Sequence, residues 1–115
     1  MGRAPPGVAE QMTDIRMTYP TAMVLQALAA GHRYGFDIAT AVGLRPGAVY
    51  QILHRLEEAK LASGAWEDPR AARVEGRPSR RYYKLSRAAE PVLAEARRRF
   101  PDLAAAPGRE AFGAP

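Results

Sequence analysis

Gly76-Arg77-Pro78-Ser79-Arg80-Arg81-Tyr82-Tyr83-Lys84-Leu85-Ser86 is the stretch whose reading decides the fold. It carries four cations, and from Arg80 to Leu85 it reads as a strand in which Tyr83 and Leu85 share one face. Gly76 and Pro78 flank Arg77 and hold that cation at a stiff position. A strand of this length needs a partner, and Leu61 to Trp66, which lacks helical caps and contains Gly64, supplies one. Asp68-Pro69 opens the connection between the two and Pro78 closes it, which predicts a hairpin with a flexible tip. Tyr82 and Tyr83 fit hairpin packing better than exposed stacking platforms, and the lone Trp66 fits the same core.

Upstream of the hairpin the pattern changes from period two to helical. In Gly47-Ala48-Val49-Tyr50-Gln51-Ile52-Leu53-His54-Arg55-Leu56-Glu57-Glu58, Val49, Ile52, Leu53 and Leu56 recur at i, i+3, i+4 and i+7, an inward stripe. Pro46 suits the first turn, where no amide hydrogen is needed, and the helix should run to about Lys60. Arg45, Ala48, Gln51 and Arg55 point elsewhere. Before it, Tyr34-Gly35-Phe36-Asp37-Ile38-Ala39-Thr40-Ala41-Val42 predicts a short helix that turns Phe36, Ile38, Ala39 and Val42 inward and ends on a left-handed Gly43. Thr21 to Ala30, opened by Tyr19-Pro20 and stopped by Gly31, predicts a largely buried first helix. After the hairpin, Ser86 is a candidate N-cap for a last helix through Arg99 or Phe100. Pro91 inside that span gives it a later start or a loose first turn.

The chain of 115 residues has room for one domain. Residues 1–12 and 101–115 are rich in proline, glycine and alanine and bury too little apolar area to offset the entropy of ordering, so they read as a flexible arm and a flexible tail. The folded unit is then residues 13–100, a core small enough for oligomerisation to help. The formal charge is +5. Between Glu67 and Arg87 seven cations face three anions, so the positive field is local. Fifteen of the seventeen cations are Arg, which suits forked contacts to phosphate or guanine but is also what a GC-rich coding sequence gives. With no cysteine, no disulfide or thiol chemistry is available, which fits a reducing cytoplasm. No apolar run reaches the ~20 residues that span a bilayer.

Three helices followed by a hairpin and a trailing helix make the fold mainly α with a small β-hairpin, a winged helix-turn-helix. A helix of this kind fits the major groove of double-stranded DNA, where Arg forks onto guanine and Gln onto adenine. The candidate DNA-binding residues are Arg45, Gly47, Ala48, Tyr50, Gln51 and Arg55 on the third helix and Arg77, Ser79, Arg80 and Arg81 on the wing. Gly47 and Ala48 let the amide-bearing helix N-terminus approach phosphate, and Tyr50 can donate to it. The bland reading leaves Tyr50 at the core edge and makes Arg55 a partner of Glu58. The apolar stripe Val92, Leu93, Ala96 and Phe100, helped by Ile15 and Met17, is the candidate homodimer contact; the alternative is that it merely closes the domain.

The order of elements and these particular residues resemble the PadR family of bacterial transcriptional regulators. The resemblance is carried by Tyr34-Gly35, by Gly47 to Glu57 and by Gly76 to Ser86, and covers about residues 20–100. It implies repression by a dimer, with the third helix in the major groove, the wing beside it and the C-terminal helix at the dimer contact. In some members an aromatic at the dimer cleft meets a planar ligand, which makes Trp66 a candidate for a small-molecule effector. Two positions depart from the pattern: Gln51 stands where the family often has Pro, and the chain ends soon after Phe100, as in the short subclass.

Catalysis and metal binding find little support. His32 and His54 are the only imidazoles, no cysteine or close acidic pair completes a ligand set, and Ser63, Ser79 and Ser86 lack a base and an orienting acid. The expectation is a regulator with no cofactor and no membrane partner, not an enzyme. Its rival is a winged-helix interaction module whose basic wing docks an acidic protein.

Overall fold

A computed structural model describes residues 16–105 of the chain. The expected arm at residues 1–12, Ile15 and the tail beyond residue 105 lie outside them. Helix α1 spans Tyr19–Ala29. Thr18 caps it, its hydroxyl accepting from the Thr21 amide at 3.3 Å, and Pro20 sits in the first turn. Ala22, Val24 and Leu25 are fully buried, so α1 is the post around which the domain is built.

Helix α2 spans Gly35–Val42 and stops at Gly43, whose φ of 77° is the left-handed cap its sequence predicted. Ile38, Ala39 and Val42 point inward. Phe36 does not: it is 62% exposed, because the helix begins one residue before it and that register turns it to solvent. Helix α3 spans Pro46–Glu58 and buries Val49, Ile52, Leu53 and Leu56 as the periodicity requires. It stops two residues short of Lys60. The Lys60 amide donates to the Glu57 carbonyl and the Leu61 amide to that of Leu56, both at 2.9 Å, with Lys60 at φ 63°. This is a Schellman stop with lysine in the seat usually held by glycine.

Strands β1 (Ala62–Trp66) and β2 (Arg81–Leu85) pair antiparallel, from Ala62 opposite Leu85 to Trp66 opposite Arg81. The chain before α2 adds a third edge: Tyr34 bridges Tyr82, and the Tyr83 amide donates to the Arg33 carbonyl at 2.7 Å. The connection expected to be a flexible tip is a folded turn. Helix α4 spans Pro69–Val74, capped by Asp68, whose carboxylate accepts from the Arg70 amide at 2.9 Å. Asp-Pro here is an N-cap followed by a first-turn proline, and Ala72 is buried beneath it.

Helix α5 spans Ala89–Arg99. Ser86 is not its cap. The Ser86 hydroxyl instead donates to the Lys60 carbonyl at 2.8 Å and its amide to the Leu61 carbonyl at 2.9 Å, tying the end of the hairpin to the end of α3. The later start leaves Pro91 in the first turn, where its missing N–H interrupts no intrahelical bond. The candidate dimer stripe goes elsewhere too. Val92, Leu93 and Ala96 are buried in the domain's own core, and half-buried Phe100 packs edge-on against Tyr19 with ring centroids 5.3 Å apart. Met17 also packs against this core. A 3-10 turn at Pro101–Ala105 follows, and Leu103 in it is fully buried, so the folded unit runs past the boundary expected at Phe100. The result is a mainly helical winged helix-turn-helix with a two-stranded hairpin.

Candidate nucleic-acid interface

Of the residues on α3, those that should read DNA are the ones the core does not use. Ala48, Gln51 and Arg55 lie at i, i+3 and i+7 and are exposed, as are Arg45 just before the helix and Gly47 in its first turn. Among the described residues no carboxylate pairs with Arg45 or Arg55. Glu58, the partner weighed for Arg55, stands instead 3.3 Å from His54 Nε2 one turn back. Two unneutralised guanidinium groups at the two ends of an exposed helical stripe are the charge arrangement a polyanion groove accepts.

Tyr50 is 47% exposed and leans toward α2. Its ring occupies the space a side chain at position 35 would fill: a Cβ built on Gly35 would lie 2.2 Å from Tyr50 Cε1. Gly35 is therefore required by close approach, and the pair fixes how the first residues of α2 and α3 meet. Tyr50 also borders the groove between α3 and the wing.

The wing's cations divide into two groups. Arg77 is committed internally: its guanidinium donates to Glu67 at 2.6 and 2.8 Å and to Glu75 at 3.1 Å, and its side chain is only 19% exposed. Glu67 also accepts from the Arg80 amide at 3.1 Å. The Arg77 hydrogen bonds, with that amide and the two arginine charges behind them, hold the Glu67 carboxyl at about 2 against an ordinary 4.5. Arg81 is committed as well. It donates to Glu57 of α3 at 2.8 Å, lies over the rings of Trp66 and Tyr83, and covers Gly64 so closely that a Cβ there would lie 2.8 Å from its Nε. The hydrogen bond to Glu57 raises the Arg81 pKa further, so this strut stays charged. Arg80 is different: its guanidinium rests on the Tyr34 ring at 4.1 Å with no carboxylate partner among the described residues. Ser79 stands beside it, half-buried.

Of the expected set, the structure brings Tyr50 of α3 together with Arg77, Ser79, Arg80 and Arg81 of the wing around one groove. Arg81 bridges the wing to α3 through Glu57, and Tyr50 of α3 lines the same groove as Ser79 and Arg80 of the wing. The site residues split into presenters (Arg45, Ala48, Gln51, Arg55, Arg80) and braces (Arg77, Arg81, Tyr50). Sequence reading missed the bracing anions Glu57 and Glu67, which lie 24 and 10 residues from their partners. It also missed the exposed rings of Phe36 and Trp66; Trp66, expected in the core, is 67% exposed. A strand-end Trp opposite an Arg was the available signal. No group of metal-ligating residues forms among the described residues, and none of their helices is long and apolar enough to cross a membrane.

Compared with known families, residues 24–95 match the model described as the transcriptional regulator PadR-like family. The matched span runs from α1 through the wing into α5 and covers every presenter and brace named above. No curated protein matches the chain.

Proposed function

The chain belongs to the PadR-like family of transcriptional regulators, and on that premise we propose that it is a sequence-specific repressor that binds its operator as a homodimer in the cytoplasm. That it is a DNA-binding regulator of transcription follows from the family. The finer reading assigns α3 to the major groove, with Gln51 and Arg55 toward base edges and Arg45 toward phosphate, and the wing to the backbone alongside through Arg80 and Ser79.

The observation that carries this reading is the strut between Arg81 and Glu57, which fixes the wing against the reading helix before any duplex arrives. A wing held at a set angle loses little freedom on binding, so its contacts translate into affinity. Arg77 takes a different role from the one its sequence position suggested. It holds the wing's shape and leaves phosphate to its neighbours. The dimer, supported by the resemblance and by the small core, has to use surface other than Val92, Leu93 and Ala96, because those side chains are spent inside the domain.

Operator affinity measured across salt concentration tests the proposal. Each phosphate neutralised contributes a slope of roughly −0.9 in log affinity against log salt, so three presented arginines per subunit make the dependence steep. A flat response would reject DNA as the partner and favour an acidic protein docked on the wing.

A further inference from the structure

Arg70 and Arg73 stand three residues apart on α4, the short helix at the outer end of the wing, and both are exposed. Exposed Val74 shares their face, while buried Ala72 anchors the helix from the other side. The anions nearest in sequence are all engaged elsewhere. Glu67 and Glu75 are bound by the Arg77 guanidinium, and the Asp68 carboxylate caps α4 by accepting from the Arg70 amide. Among the described residues no carboxylate pairs with Arg70 or Arg73. The wing therefore ends in a cationic face that its own anions do not neutralise. That face is also held in place, because the Arg77 amide donates to the Ala72 carbonyl at 3.1 Å and closes α4 back onto the wing. Arg73 and Ser79 border one hollow, so the face is continuous with the surface assigned above to the DNA backbone.

We propose that α4 makes a second, base-blind contact with DNA, in which Arg70 and Arg73 grip phosphates of the duplex that flanks the segment read by α3; this rests on the DNA reading above. Side chains three apart on a helix lie about 5–6 Å from each other. The phosphates of one strand follow one another every ~3.4 Å along the duplex axis, so the pair can engage neighbouring phosphates of a single strand. Continuity decides the partner: α4 adjoins Ser79 and Arg80, and one polyanion covers all of them, whereas an acidic protein would have to stop at their border. Because α4 is already fixed against the wing, little freedom is lost when it meets the backbone. Contacts to phosphate position the domain and carry no sequence information. The wing-tip helix then sets how much DNA around the operator core the domain needs.

The affinity gained from flanking DNA is the measurement that decides. An operator core selected from a random duplex pool is titrated with the full chain, alone and with about one helical turn of duplex added at each end, in its own sequence and scrambled. For the wild type the added turns should raise affinity about tenfold with either flank, and should steepen the salt dependence by roughly two per subunit, about −0.9 for each phosphate. Arg70→Gln combined with Arg73→Gln should abolish that gain. Arg45→Ala, which leaves α4 intact, should weaken binding at both lengths and keep the gain. A gain that survives in the double variant overturns the proposal. So does a gain that depends on flank sequence, which would make α4 a reader of bases. A double variant that weakens core and extended duplex by the same factor also overturns it, because the arginines would then act through the shape of the wing. A wild type that binds the core and gains nothing from the flanks rejects the phosphate contact and leaves an acidic protein as the partner of α4. Binding of neither duplex by the wild type fails the DNA reading itself, and the proposal falls with it.

Discussion

Arg77 and Glu67 meet in a two-pronged contact, Nη1 to Oε1 at 2.6 Å and Nη2 to Oε2 at 2.8 Å, across ten residues of chain. The contact spans the root of the wing tip, with Glu67 11% exposed and a second bond to the Arg80 amide. Its purpose is positional: it sets where Ser79 and Arg80 emerge.

Breaking it should therefore weaken DNA binding without changing its selectivity. Glu67→Ala is expected to lower affinity for operator and random duplex by the same factor, on the order of tenfold, as the wing loses its set angle. Filter binding on both duplexes measures this, and a changed ratio between them would make Glu67 part of base reading.

Acid should dissolve the same clamp. Glu67 titrates near 2 in the fold against an ordinary 4.5, so its contribution to stability is complete above about 4.5 and fades as the pH falls toward 2. The difference in Tm between wild type and Glu67→Gln should be constant from pH 7 to 5 and shrink below that. A difference that persists at pH 2 would mean the variant disturbs something other than the ion pair.

Gly35 and Tyr50 offer a packing test. A methyl group at position 35 would collide with the Tyr50 ring at 2.2 Å, so Gly35→Ala is expected to cost about 1–3 kcal/mol in urea denaturation. In the Tyr50→Ala background the same substitution should cost much less, because the obstructing ring is gone. Additive losses would show that the strain lies in the α2 backbone.

On the proposed reading, base recognition and phosphate contact fall to different residues of α3. Gln51→Ala should alter preference among operator variants by about 1–3 kcal/mol at the affected base pair, whereas Arg45→Ala should weaken all sequences alike and lower the salt slope by about one. Selection from a random duplex pool with each variant compares them directly. Identical profiles would undo the assignment.

The buried stripe of α5 makes a prediction about the monomer. Leu93→Ala is expected to destabilise the fold by about 2–5 kcal/mol through loss of core contact and an unfilled cavity. If the residue serves only the domain, that loss is the same at every protein concentration. A loss that grows on dilution would return Leu93 to an interface.

How much of this was legible in the chain follows from the range of each interaction. Pro20, Gly43 and Pro46 mark helix ends through their own backbone limits, and Val49, Ile52, Leu53 and Leu56 mark a face through spacing alone. These are local, and the structure has them where the residues point. Arg81 with Glu57 and Tyr50 against Gly35 depend on segments 24 and 15 residues apart, and no periodicity carries that information. The stripe at Val92, Leu93 and Ala96 has the same spacing whether it meets α1 or a second copy, so sequence left the two open. Asp68-Pro69 was misread for another reason: the pair opens turns and short helices alike, and Ala72 decided between them by being buried.

The hydrogen bond from the Glu67 amide to the Arg80 carbonyl, at 2.7 Å, is the last rung of the hairpin, and residues 68–79 hang beyond it as a self-capped excursion. Such an appendage can be rewritten or exchanged without touching the rungs beneath as long as Arg77, which clamps Glu67, is kept. Reach along the duplex backbone and choice of base then become separately adjustable properties, and a designer wishing to retarget this domain would have two independent dials instead of one.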